Sequence, residues 1–141
     1  SRSPMQWDNS TNAGFSSAPA DELYIKQDDS PDRPTVKSQM SDENSLYNEI
    51  KRLIEVRQSH KALQSRGEIE FLCAEKNAYP LAYLRSDKDE KILVIINPSD
   101  REVTYDCEFF LKEKIYSVGE GLSVDNGKIT VPPCFAGYYE V

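Results

Sequence analysis

Five consecutive apolar residues, Ile92 to Ile96 in "KILVIIN", constrain the fold of this chain more than any other feature. A strand with one wet face alternates apolar and polar residues, whereas a short unbroken apolar run ended by a turn is buried on both faces. Asn97-Pro98 supplies the turn, so the run predicts the central strand of a sheet. Candidate neighbours flank it. Ile69, Phe71 and Cys73 alternate with Glu68, Glu70 and Leu72, and "LAYLR" places Leu81 and Tyr83 on one face. "EVTYDCEFF" and "KEKIYSV" follow as further strands. Asn126-Gly127 stands between "LSVD" and "KITV", a strong two-residue hairpin signal. "PPCFAGYYEV" reads as an aromatic strand whose start Pro132 and Pro133 confine to an edge or corner. Roughly seven or eight short strands at this spacing predict a small antiparallel β-sandwich.

The period changes upstream. Leu46, Ile50, Leu53, Ile54 and Arg57 fall at i, i+4, i+7, i+8 and i+11, an apolar stripe along a helix. The spacing predicts a helix over 42–60, with Ser41 or Asp42 as its N-cap and Asp42 and Glu43 complementing its dipole. Residues 1–41 show no period and are punctuated by Pro4, Gly14, Pro19, Pro31 and Pro34. The fold class is therefore mainly β: a C-terminal antiparallel β-sandwich preceded by one α-helix and a long irregular segment. Residues 1–40 are expected to be less ordered than 68–141.

Charge and cysteine usage exclude several function classes. A net charge of −7 leaves no basic face for nucleic acid or an anionic membrane. No apolar run approaches the roughly 20 residues of a membrane span, and the first residues carry no signal-peptide pattern. Cys73, Cys107 and Cys134 are odd in number and far apart, which predicts three buried thiols in a reducing, cytoplasmic setting. His60, the single histidine, ends the helical pattern and reads as a dipole partner or packing residue. Neither a metal nor a cofactor is expected.

The sandwich region carries no catalytic constellation. Its acids Glu68, Glu70, Asp87, Asp89 and Glu90 fall on solvent faces or turns, and no pair of carboxylates is set apart for general acid–base work. The opening "SRSPMQWDNSTNAGFS" differs. Arg2 is a planar five-donor cation, Trp7 a flat apolar face of the kind sugar rings lie on, and Asp8 and Asn12 add acceptors. These residues leave two readings open. In one they line a carbohydrate site; in the other Trp7 and Phe15 are packing wedges and Asp8 caps backbone N–H groups.

"R-S-P-M-Q-W-D" followed by "N-A-G-F-S" resembles the segment after the eighth barrel strand of glycoside hydrolase family 13, the α-amylase superfamily. The resemblance is to the branch of α-glucosidases, oligo-1,6-glucosidases, trehalose-6-phosphate hydrolases and trehalose synthases. "SLYNEIKRLIEVRQSHKAL" is similar to the last barrel helix of that family, and "AYLR…KILVIINPS" to the first strands of its C-terminal β domain.

The resemblance implies that residues 1–61 are the end of a (β/α)8 catalytic barrel, with the post-strand-8 loop at 1–41 and the last helix at 42–60. Residues 62–141 are then the β-sandwich domain. The family's aspartate nucleophile, glutamate acid/base and stabilising aspartate lie on earlier strands, so this chain is expected to hold no catalytic residue and to be inactive alone. The resemblance carries Arg2 over as a contact to the terminal glucose in an intact enzyme, and Trp7 and Asp8 as parts of the active-site rim. The implied ligands are α-linked glucosides or maltooligosaccharides. Self-association of the isolated chain through its helix stripe is expected.

Two alternatives follow from the same residues. One is a stand-alone carbohydrate-binding sandwich presenting a row drawn from Tyr79, Tyr83, Tyr105, Tyr116, Tyr138 and Tyr139. The other is a piece of a catalytically dead, transporter-associated relative.

Overall fold

The computed structural model describes residues 3–141 and divides into two compact units, with the division between Arg52 and Leu53. Eight strands lie in the second unit: β1 Glu68–Cys73, β2 Leu81–Ser86, β3 Lys91–Asn97, β4 Val103–Asp106, β5 Glu113–Val118, β6 Ser123–Asp125, β7 Lys128–Val131 and β8 Phe135–Glu140. They form a five-stranded sheet ordered β1-β2-β3-β8-β5 and a three-stranded sheet ordered β4-β7-β6, all pairs antiparallel. The apolar run is β3, and it is the middle strand of the larger sheet.

Burial on both faces of β3 has a direct cause. Leu93 and Ile95 enter a core shared by the two sheets, with Ala82, Leu84, Phe135 and Tyr139 from one and Ile129 and Val131 from the other. Ile92 and Val94 face the opposite way, into a second cluster with Ala62 and Leu63. Each fully buried aliphatic side chain contributes about 1.5–3 kcal/mol.

Asn97, wholly buried at the end of β3, ties the two sheets together. Its Nδ2 donates to the carbonyls of Arg101 at 2.8 Å, Pro132 at 2.8 Å and Val131 at 3.3 Å, while its Oδ1 accepts from the Ser99 hydroxyl at 2.6 Å. The β6–β7 hairpin turns at Asn126 and Gly127 with φ of +49° and +81°, the left-handed pair that this dipeptide favours.

Several expectations are corrected here. "EVTYDCEFF" is a strand only through Asp106; the Cys107 amide turns to the Gly127 carbonyl at 2.8 Å, which closes the ladder. In β1 the alternation does not set the buried face. Ile69 and Phe71 are more than half exposed, while Leu72 and Cys73 reach the shared core across a register shift. The cysteines are not all buried: Cys107 is, Cys73 is half-buried, and Cys134 is exposed in a tight turn at φ +50°.

The helix is α2, Leu46–Ser59, which begins in the first unit and ends in the second. Its start is capped by Ser45, whose hydroxyl accepts from the Asn48 amide at 3.2 Å, and not by Ser41 or Asp42. Those two residues end a short helix that the sequence pattern does not reveal, α1 at Val36–Ser41. Thr35 caps it: its hydroxyl accepts from the Ser38 amide at 3.1 Å, and the Ser38 hydroxyl accepts from the Thr35 amide at 3.1 Å. Among the described residues the remainder of the first unit is irregular apart from 3-10 turns at Thr11–Gly14 and Ala20–Glu22.

Candidate functional site

The opening loop is folded by its own polar groups. Asn12, Ala13 and Gly14 all take left-handed backbone conformations, with φ of +51°, +54° and +76°. Three such residues in a row turn the chain back so that the Ala13 carbonyl accepts from the amides of Trp7 at 2.8 Å and Asp8 at 3.3 Å. The Asn12 amide group holds the return, donating to the carbonyls of Ala18 at 2.7 Å and Ser16 at 3.0 Å. Gly14 is required at its place: a Cβ there would lie 2.9 Å from Asp8 Oδ1 and 3.2 Å from Trp7 Cβ, at a φ that side chains rarely adopt.

The loop in turn completes α1. A helix leaves its first amides without internal acceptors. Here the Val36 amide donates to the Gln6 carbonyl at 2.8 Å and the Lys37 amide to the Trp7 carbonyl at 3.0 Å. Gln6 and Trp7 are thereby fixed at the helix N-terminus.

Of the candidate site residues, Arg2 lies outside the described residues. Trp7 is half exposed, its backbone bonded on both sides and its indole open to a ligand or neighbour. Asp8 is turned inward on the loop: its Oδ1 accepts from the Ser10 amide at 2.8 Å and also from the Ser10 hydroxyl. The Ser10 side-chain bond, then its backbone bond, hold the Asp8 carboxyl below the usual aspartate range, with a smaller contribution from the Lys37 charge. Asp8 is thus held in its charged form below the ordinary aspartate range, with one oxygen already engaged.

Beside it, Ser10, Thr11, Gly14, Phe15, Ser16 and Ser17 line an open depression of about 370 Å³. Two of its hydroxyls are already engaged: that of Ser10 donates to Asp8, and that of Ser16 accepts from the Ala18 amide at 3.1 Å. Among the described residues no group of three or more His, Cys, Asp or Glu could hold a metal ion, and no helix is long and apolar enough to cross a membrane. The depression was not visible to sequence reasoning, because it arises from the left-handed turn and not from any residue pattern.

A family model described as alpha amylase, catalytic domain, matches residues 1–66. An oligo-1,6-glucosidase of Bacillus cereus is 34% identical over 133 residues, covering 91% of this chain and 22% of that protein. An oligo-1,6-glucosidase of Parageobacillus thermoglucosidasius is 33% identical over 100 residues, covering 71% and 17%. The chain belongs to glycoside hydrolase family 13, the α-amylase superfamily. An isomaltulose synthase from Erwinia rhapontici NX5, solved with D-glucose, superposes with a TM-score of 0.80 at 27% identity, over 97% of this chain and 24% of that one. This family 13 chain therefore spans about a fifth of the length of the curated relatives just named.

Proposed function

We propose that this chain is the C-terminal part of a retaining glycoside hydrolase or glucosyltransferase acting on α-glucosides. In this reading residues 1–61 end the catalytic barrel, 62–141 are its β domain, and the chain supports the barrel and lines the active-site rim without holding the catalytic acids. The observation that carries it is the loop at 5–18. It is fixed by left-handed turns and by the N-terminus of α1, it keeps Trp7 exposed, and it lies within the stretch matched by a catalytic-domain model. Rigid backbone under an open aromatic face is what a substrate-facing rim needs.

Arg2 is the residue to which this reading gives a substrate contact. Its forked donors can grip a sugar hydroxyl and a carboxylate together, which a lysine cannot reproduce. The stripe of α2 supports the same reading: Leu46, Tyr47, Ile50 and Ile54 stay exposed, as expected of a helix whose barrel neighbours are elsewhere. The isolated chain is expected to self-associate through that stripe.

The experiment joins this chain, from Ser1, to the preceding barrel of the Bacillus cereus oligo-1,6-glucosidase and assays p-nitrophenyl α-glucoside. The chain alone is expected to show no turnover and the chimera to recover it. Arg2→Lys in the chimera is expected to lower kcat/KM about 100-fold, close to 2.7 kcal/mol. Turnover by the 141-residue chain alone, or an Arg2→Lys chimera as active as its parent, overturns the proposal.

The stand-alone sugar-binding reading has little support in the geometry. Tyr105 and Tyr139 face the core between the sheets, and Tyr83 and Tyr138 face the second cluster. Of the six candidate tyrosines only Tyr79 is exposed, so they make no open row.

A further inference from the structure

The turn that follows α2 is fastened to the larger sheet by more bonds than its length requires. The Glu90 carboxylate, just before β3, holds it from one side. One oxygen meets His60 Nδ1, and the other accepts from the Ala62 amide at 3.0 Å. From the other side, Arg85 Nη2 on β2 donates to the carbonyls of Gln64 at 2.7 Å and Gly67 at 3.1 Å. Gly67 closes so tightly on this turn that a Cβ would fall 2.1 Å from the Ala62 carbonyl oxygen. Beneath these bonds Ala62 and Leu63 cover Ile92 and Val94, all four within the second cluster.

We propose that residues 60–67 are a strap that opens and closes on the sheet as one unit, with Glu90 as its catch. The strap brings only one alanine and one leucine to the apolar contact, over Ile92 and Val94, and Val56, Tyr83, Ile96, Ile115 and Tyr138 pack around the same cluster. The polar fastenings to the sheet converge on two side chains, Glu90 and Arg85, while Arg57 Nε donates to the Leu63 carbonyl at 3.4 Å and Gln64 Nε2 to the Gln58 carbonyl at 3.2 Å on the α2 side. Of these, Glu90 carries charge-assisted bonds to a backbone amide and to an imidazole. Such bonds are about twice as strong as neutral ones. A short segment whose hold on the sheet is concentrated in a few polar bonds opens locally before the molecule unfolds globally. Opening uncovers the part of Ile92 and Val94 that lies against Ala62 and Leu63, so the strap governs when that part of the sheet meets solvent or another surface.

The test is amide hydrogen exchange on the intact 141-residue chain and on Glu90→Ala, Glu90→Gln and His60→Ala. Glu90→Ala is expected to speed exchange at Ala62, Leu63, Gln64 and Gly67 together by about 10- to 100-fold, with β3 and β8 amides unchanged. Glu90→Gln keeps an acceptor for the Ala62 amide and His60→Ala keeps the carboxylate, so both are expected to fall between. Unchanged exchange in the strap on Glu90→Ala shows that Glu90 is not the catch. A rise shared equally by β3 and β8, in Glu90→Gln as in Glu90→Ala, shows that no separate unit opens. A rise at Ala62 without Leu63, Gln64 and Gly67 shows one lost bond and no strap. Any of these three results overturns the proposal.

Discussion

The sheets of residues 53–141 and the loop of residues 3–52 reach a defined conformation by different means. In the sheets, long aliphatic and aromatic side chains are removed from water: Ile92, Leu93, Val94, Ile95, Ile129 and Val131 are fully buried, and Phe135 nearly so. In the first unit the buried positions among the described residues are Ala13, Thr35 and Ser45, none of them large or apolar enough to make a core. What orders that unit is a set of directed bonds: Asn12 to two carbonyls, Asp8 to Ser10, Thr35 to Ser38, and loop carbonyls to the first amides of α1. Apolar burial is non-directional and adds with area. Hydrogen bonds each contribute about 1 kcal/mol but fix geometry. A stable pair of sheets and a shaped loop call on these two kinds of force respectively.

The largest expected effect tests the burial side. Ile95→Ala leaves a cavity in the core shared by the sheets and is expected to cost about 2–5 kcal/mol, read as a shift in the denaturant midpoint followed by near-ultraviolet circular dichroism. A cost below 1 kcal/mol would mean that the sheets are not held mainly by that core. In the loop, Gly14→Ala is expected to cost about 1–2 kcal/mol from its left-handed conformation alone. The new methyl also crowds Asp8. The reading is the fluorescence of Trp7, the only tryptophan in the chain. An unchanged emission spectrum in Gly14→Ala would show that the turn does not set the environment of Trp7.

A smaller effect isolates a single cap. Thr35→Ala removes the acceptor of the Ser38 amide and is expected to weaken α1 by about 1 kcal/mol. Exchange at Ser38 is expected to rise while the β7 and β8 amides keep their protection. Protection lost in β7 and β8 as well would mean that the directed bonds and the core are one cooperative system.

The same contrast governs what could be read in the sequence. Burial leaves a pattern in residue type, so β3, the Asn126-Gly127 hairpin and the stripe of α2 were all legible. In β1 the alternation marks the buried set only in part: Cys73 reaches the core, Ile69 and Phe71 do not, and Leu72 joins it where the register shifts after Phe71. The short helix α1 was not legible. Six residues are too few to show a period, and its capping partner is Ser38 where the usual signature has Glu or Gln. The acceptors from Gln6 and Trp7 are backbone carbonyls, which carry no residue identity at all. For the candidate site, the residue types of the loop suggested polar and aromatic chemistry. The left-handed run at Asn12 and Ala13 did not announce itself, since alanine seldom takes that conformation.

The smallest effect concerns charge. Bonds from Ser10 hold the folded-state pKa of Asp8 below its ordinary value. A depressed carboxyl pKa adds stability that is fully present above the unfolded-state value, roughly 3.9, and is lost as pH falls through the lower folded-state value. Trp7 fluorescence, reporting on the neighbouring residue, is therefore expected to stay constant from neutral pH down through the ordinary aspartate range and to change only below it. In Ser10→Ala the main cause of the shift is gone, so the change is expected to move up towards the ordinary range. A transition at the same pH in both proteins would show that the Ser10 hydroxyl does not hold the carboxylate. The anion would then owe its position to Lys37 or to the backbone alone, and the loop would depend less on directed bonds than its geometry indicates.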